Sequence, residues 1–180
     1  MMKKKVTLTR SLILFITFFL VLPLILTSCS SSTGEKTLES NKQLVRDMNT
    51  EVWNKGNLDR MNDFISPDVV RHFLPDGSEV RGIDSLQKQE MALRKAFPDW
   101  EEDIRHIVAE GDFVVIHFVS SGTNKGSWLG KPSTGNKIRI NEMSIFRIKD
   151  GKVAEQWLLP DIFSMQQQLS AGKLDGGTEK

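Results

Sequence analysis

One cysteine, Cys29, stands among 180 residues, which excludes an intrachain disulfide. Histidines are scarce too. His72, His106 and His117 have no spacing that suits zinc. No Gly-x-Ser-x-Gly elbow, phosphate-binding loop or dinucleotide fingerprint occurs. The glycine- and lysine-rich stretch from Gly122 to Lys137 links two strand patterns, with no helix N-terminus to cradle a phosphate. No motif calls for a metal or a cofactor, so none is expected. There is no internal repeat. Charge of one sign is also lacking: 24 Lys and Arg face 23 Asp and Glu. Without a basic excess, a nucleic-acid partner is not expected.

What is present begins at the N-terminus. Lys3, Lys4, Lys5 and Arg10 precede an almost wholly apolar run, Leu12 to Leu26. That run is short of the roughly 20 residues that span a bilayer and fits the apolar region of an export signal. It ends in Leu26-Thr27-Ser28-Cys29, followed by three serines. This resembles a bacterial lipobox, which implies cleavage before Cys29 and lipid on its thiol and new amino group. Each buried methylene of an acyl chain contributes about 0.8 kcal/mol, so several chains hold a soluble domain on a membrane. The expected organisation is a signal peptide over 1–28, a lipidated flexible tether over 29–39, a domain over 40–170 and a frayed tail over 171–180. The expected location is the cell envelope, on the exported side. Four of the 24 basic residues lie in 1–28, so 20 remain against 23 acids, a net charge near −3.

Within the domain, Ser40 and Gln43 suggest a capping box for a helix over 41–54, ended by Lys55-Gly56. Leu58 to Ile65 reads as a short second helix. Val69 to Phe73 reads as a short strand, and Pro75-Asp76-Gly77 as a turn. Asp84 is the expected cap of a third helix, Ser85 to Ala96. After Phe97-Pro98-Asp99-Trp100 the apolar period changes from 3.6 to 2. Four strands are expected over 100–109, 113–122, 137–149 and 152–159, with Asp150-Gly151 as a hairpin turn. A last helix is expected over 162–169. Helices followed by a meander make an α+β pattern.

Several phrases, in order, resemble the SnoaL-like polyketide cyclase family of the nuclear transport factor two-like superfamily. They are "EVWNKGNLD" (Glu51 to Asp59), "FPDW" (Phe97 to Trp100), "AEGDFVV" (Ala109 to Val115), "SGTNKGSWLGKPSTGNKI" (Ser121 to Ile138) and "FRIKDGKVAEQW" (Phe146 to Trp157). The resemblance covers about residues 40–170. It implies a cone-shaped, curved, mainly antiparallel sheet wrapped around N-terminal helices, often dimeric, with a mostly apolar cavity for a small apolar molecule. It further implies a cofactor-free intramolecular aldol closure in which an aspartate moves the proton.

That aspartate corresponds to Leu158, one residue after Trp157. Its loss opens an alternative, a non-catalytic lipoprotein that binds a small apolar ligand. Asp161 lies three residues beyond and is expected chiefly as the cap of the last helix, with a catalytic role as the lesser reading. Glu142 lies on the even-numbered face of its strand with Ile140, Ser144, Phe146 and Ile148, which makes it the best candidate for a relocated general base. Ser144 matches a second polar cavity position. His72 matches a family histidine that points into the cavity, and it is a candidate proton carrier. Trp53 and Trp157 are the expected aromatic walls. Pattern alone leaves open which way His117 faces.

Overall fold

The computed structural model describes residues 29–171. The expected export signal over 1–28 and most of the expected tail over 171–180 lie outside the described residues. Contacts divide the chain into two compact units, Met1–Thr37 and Leu38–Lys180; the domain described below is the second. Helix α1 is Cys29–Met48. It therefore begins inside the stretch expected to be a tether, and Ser40 and Gln43 sit within it instead of capping it. A π-helical turn, Asn49–Asn54, follows. A 3₁₀ turn, Leu58–Arg60, leads into α2, Met61–Phe64. Strand β1 is Ile65–Phe73 and β2 is Ser78–Arg81. Helix α3 is Ile83–Ala96. Strands β3 (Glu101–Glu110), β4 (Phe113–Thr123), β5 (Lys137–Lys149) and β6 (Lys152–Pro160) precede α4, Ile162–Ser170.

The six strands form one sheet in the order β2-β1-β6-β5-β4-β3. Only β1 and β6 run parallel; the other neighbours are antiparallel. The expected α+β architecture with a mainly antiparallel sheet is present. The four long strands fall within a residue or two of their expected bounds, because alternation of apolar and polar residues fixes a strand. In β5 it is perfect: Ile138, Ile140, Glu142, Ser144, Phe146 and Ile148 are buried on one face, and residues between them are mostly exposed. Asp150 and Gly151 turn the chain with φ of 52° and 72°, the positive pair a two-residue hairpin requires.

Two expectations fail at helix and strand starts. Strand β1 begins at Ile65, four residues early, and its pairing with β6 shifts between Ile65 and Val70. Pro67, which lacks an N–H, lies in that irregular stretch, where a proline is tolerated. Helix α3 begins after Gly82, and Asp84 makes no capping bond.

The core lies between the inner sheet face and the helices. Val45, Met48, Val52 and Trp53 from α1 and its π turn pack with Leu86 of α3 against Val114, Ile116, Phe118, Phe146 and Ile148. A second cluster joins Phe97, Trp100, Ile138, Ile140 and Met165. The loop from Asn124 to Asn136 is pinned by Asn124, whose Oδ1 accepts from Thr134 N and whose Nδ2 donates to Gly126 O. Gly126 is required there, since a Cβ would lie 2.4 Å from the Lys95 carbonyl oxygen.

Candidate active site

The sheet and helices leave a cavity of about 440 Å³, within the range of small-molecule sites. Its walls are mostly apolar, with Trp53, Trp100, Trp128, Phe118 and Phe146 among them. Trp128 comes from the long loop and meets Phe97 edge-on at 5.7 Å.

Glu142 faces into this cavity, as its place on β5 requires. It is 6% exposed, and its Oε1 has no hydrogen-bond partner among the described residues. Burial is the main cause that pushes its carboxyl up to about 7, with Glu90 adding to the rise. The Ser120 hydroxyl and the Arg71 guanidinium pull the other way. Ser120 is fully buried, and its hydroxyl also lacks a partner that meets hydrogen-bond geometry. Its proximity tempers the rise at Glu142 without satisfying either group.

A second acid, Glu102, shares the cavity. Asn49 Nδ2 donates to its Oε2 at 2.8 Å and Trp100 Nε1 to its Oε1 at 3.2 Å. Burial, then the charge of Glu142, raises it to about 8. The π turn makes this possible, because it brings both Asn49 and Asn54 to the start of β3. Asn54 bonds both backbone groups of Glu102, accepting from its N at 2.7 Å and donating to its O at 2.9 Å. Helical irregularities of this kind often occur at functional sites.

A polar chain runs through the same cavity from β1 and α3 to β6 and β5, ending beside Glu142. Arg71 of β1 pairs with Glu90 of α3 at 2.5 Å and donates to Gln156 Oε1 at 2.8 Å. Gln156 Nε2 donates to Ser144 Oγ at 3.0 Å. The Arg71 guanidinium also lies 5.5 Å from the Trp53 ring. Buried charge is tolerable here because it is paired and hydrogen-bonded.

Of the residues singled out from sequence, Glu142, Ser144, Trp53 and Leu158 line the cavity. Leu158 thus puts an apolar side chain into the cavity where the resemblance leads us to expect an acid. Two others, His72 and Trp157, are corrected, and Asp161 takes its chief expected role. His72 is not a cavity residue: Arg71 faces in, so alternation sends His72 out. It lies 2.9 Å from both Glu79 and Glu155. Trp157 is likewise between two inward residues, Gln156 and Leu158, and stacks on His72 at 5.1 Å on the outer face. Asp161 is the cap of α4, accepting from Ser164 N at 2.9 Å and from Ser164 Oγ at 2.6 Å. Those bonds hold its carboxyl below the usual range. His117 also faces outward, against His106 and Asn141.

Arg71, Glu90, Glu102 and Asn49 were missed. The signal for Arg71 was available in the alternation Val69, Arg71, Phe73. For Glu102 no local signal exists, since "WEEDI" reads as a polar strand start. Among the described residues, no group of three or more His, Cys, Asp or Glu is arranged to hold a metal.

Comparison with known proteins agrees with this geometry. The aklanonic acid methyl ester cyclase DnrD of Streptomyces peucetius is 29% identical over 133 residues, 70% of this chain and 88% of its own. The crystal structure of a SnoaL-like protein from Jannaschia sp. CCS1 is 25% identical, with a TM-score of 0.69 over 74% of this chain and 94% of its own. TsrD from Streptomyces laurentii gives 26% identity and a TM-score of 0.66 over 74% and 96%. The model of the SnoaL-like polyketide cyclases matches residues 43–169. With most of the domain matched, and the inward face of its sheet built around one cavity, the chain belongs to the SnoaL-like polyketide cyclase family.

Proposed function

We propose that the chain is a cyclase acting on an apolar carbonyl compound, with Glu142 as its general base. The observation that carries this is the orphaned Glu142 carboxylate, buried in an apolar cavity and poised near neutral pH. A base poised near the working pH is the efficient one for proton abstraction. Glu142 takes a proton from carbon next to a carbonyl. The resulting enolate attacks a second carbonyl of the same molecule, forming the ring bond. The alkoxide then recovers the proton from Glu142, so the base is regenerated and nothing is consumed.

The test uses aklanonic acid methyl ester, the compound in the relatives' name, with the full-length chain. Wild type closes the ring, and Glu142→Gln slows closure by about 10²–10⁴-fold. Leu158→Asp, which restores the family acid, recovers part of the rate in the Glu142→Gln background. Undiminished closure by Glu142→Gln contradicts the assignment. The non-catalytic alternative is favoured by one observation, the apolar Leu158 at the acid position. It predicts tight retention of the ester with no turnover in wild type, and loss of retention in Trp53→Ala.

We also infer a lipid anchor at Cys29 and a homodimer. The anchor rests on the lipobox-like sequence; Cys29→Ser is expected to move the protein from the membrane to the soluble fraction. The dimer is supported by exposed apolar residues on the outer sheet face, Val108, Phe113, Met143 and Ile145. Phe113→Asp is expected to halve the mass seen by sedimentation equilibrium.

A further inference from the structure

We propose that Glu102 and Glu142 form one acid–base pair serving a ketone with an enolisable C–H, Glu142 taking the carbon proton while Glu102 protonates the carbonyl oxygen. This rests on the reading of Glu142 as base and adds its partner. Sheet register supplies the geometry. On the inner face Glu102 pairs with Ser120, and Ser120 with Ile140. Glu142 lies two residues along β5 from Ile140, on the same face. The two residues therefore lie on the same inner face on either side of β4, two strand spacings apart across the sheet and two residues apart along it, about 12 Å at the backbone, and both line the cavity.

Their hydrogen bonds give them different work. Each oxygen of Glu102 already accepts an N–H, from Trp100 and from Asn49. A proton on Glu102 has no acceptor among those partners, which leaves a bound oxygen or Glu142 to receive it. Glu142 has a bare Oε1, an acceptor with nothing to accept. Two acids that interact titrate as a pair. Burial raises both carboxyls, and the charge of Glu142 raises Glu102 further. In the singly protonated pair Glu102 carries the proton, and Glu142, with its bare Oε1, is the ionised acceptor. The other charged groups lining the cavity are Arg71 and Glu90, which are paired with each other, and Asp76, which accepts from Ser78 N.

In the reaction, the C–H bond breaks as an O–H bond forms on Glu142. The O–H of Glu102 breaks as its proton passes to the carbonyl oxygen, giving a neutral enol. The pair ends with its proton moved from Glu102 to Glu142, and return of the enol to the ketone restores it.

Two measurements on the full-length chain test this. The first needs no ligand: carboxyl ¹³C shifts of labelled glutamates are followed against pH. The pair requires that Glu142→Gln lower the Glu102 midpoint, because Glu142 is already ionised when Glu102 gives up its proton. A Glu102 midpoint that ignores Glu142→Gln overturns the pair. The second follows deuterium wash-in at the acidic C–H of 2-tetralone. Wild type gives a bell-shaped pH profile. Glu102→Gln loses the alkaline limb and at least tenfold in rate, and Glu102→Asp regains part of both. A Glu102→Gln profile identical to wild type overturns the pair while leaving Glu142 as base. Undiminished exchange in Glu142→Gln removes the base itself, and no exchange by wild type removes the ketone class.

Discussion

Glu142 owes its chemistry to one step of alternation. Its neighbours Asn141 and Met143 are exposed, and it alone of the three points inward. The same rule explains two misplaced residues. In β1 and β6, His72 and Trp157 drew notice because histidine and tryptophan are the conspicuous types. Their quieter neighbours Arg71, Gln156 and Leu158 occupy the inner face. Adjacent strand residues cannot share a face, so Trp157 and Leu158 could not both line the cavity. Residue-scale energetics follow from the raised acids. Unfolded glutamates lose their protons near 4.3, while the native pair keeps its protons to about 7 and about 8. Between these limits the native state binds more protons, so stability is greatest at the acid end and falls as pH rises through that window. Wild type is expected to melt lower at pH 9 than at pH 5.5. The Glu102→Gln, Glu142→Gln double variant should flatten that slope, as calorimetry at the two pH values would show. Arg71→Met should destabilise the fold by about 3–5 kcal/mol, because it leaves Glu90 buried without its partner; denaturant titration reads this directly. An Arg71→Met, Glu90→Leu variant should regain much of the loss.

At the scale of elements, strands were legible and helix ends were not. A strand declares itself by a two-residue period within its own segment. The π turn over Asn49–Asn54 has no such local signature. It is stabilised by bonds to Glu102, about fifty residues away. Glu102 was invisible for the same reason, since its partners come from a distant turn. The capping readings divide on the same ground. Asp161 was read correctly because cap, helix and strand end lie within four residues. Asp84 and Ser40 had the right residue types, but the chain geometry began their helices earlier. Asp161→Ala is therefore expected to lower the melting temperature by a few degrees and leave proton transfer unchanged. Gly126→Ala should cost more, because its Cβ would press on the Lys95 carbonyl at 2.4 Å. The disturbance would reach the cavity through Trp128, so ligand affinity should weaken alongside stability.

At the scale of the whole molecule, the sheet serves two surfaces. Its inner face builds a cavity whose acids are held by elements far apart in sequence: Glu102 by the first helix's π turn, Glu142 by the register of β4 and β5. Its outer face carries the His72–Trp157 stack and the exposed apolar residues on which the proposed dimer rests. The family resemblance in sequence reached the fold and the cavity, but its acid position pointed to Leu158, where there is no acid. The catalytic capacity of this chain then depends on whether the buried carboxyls elsewhere in the cavity have taken up the proton transfer. The most direct measurement is the pH titration of the Glu142 carboxyl in the full-length protein, by ¹³C shift, with Glu142→Gln to assign the resonance. A midpoint near 7 is the result predicted for a base poised for enolisation. A midpoint in the ordinary range near 4.3 would mean that Glu142 is solvated like a surface acid, and would contradict a cyclase built on it.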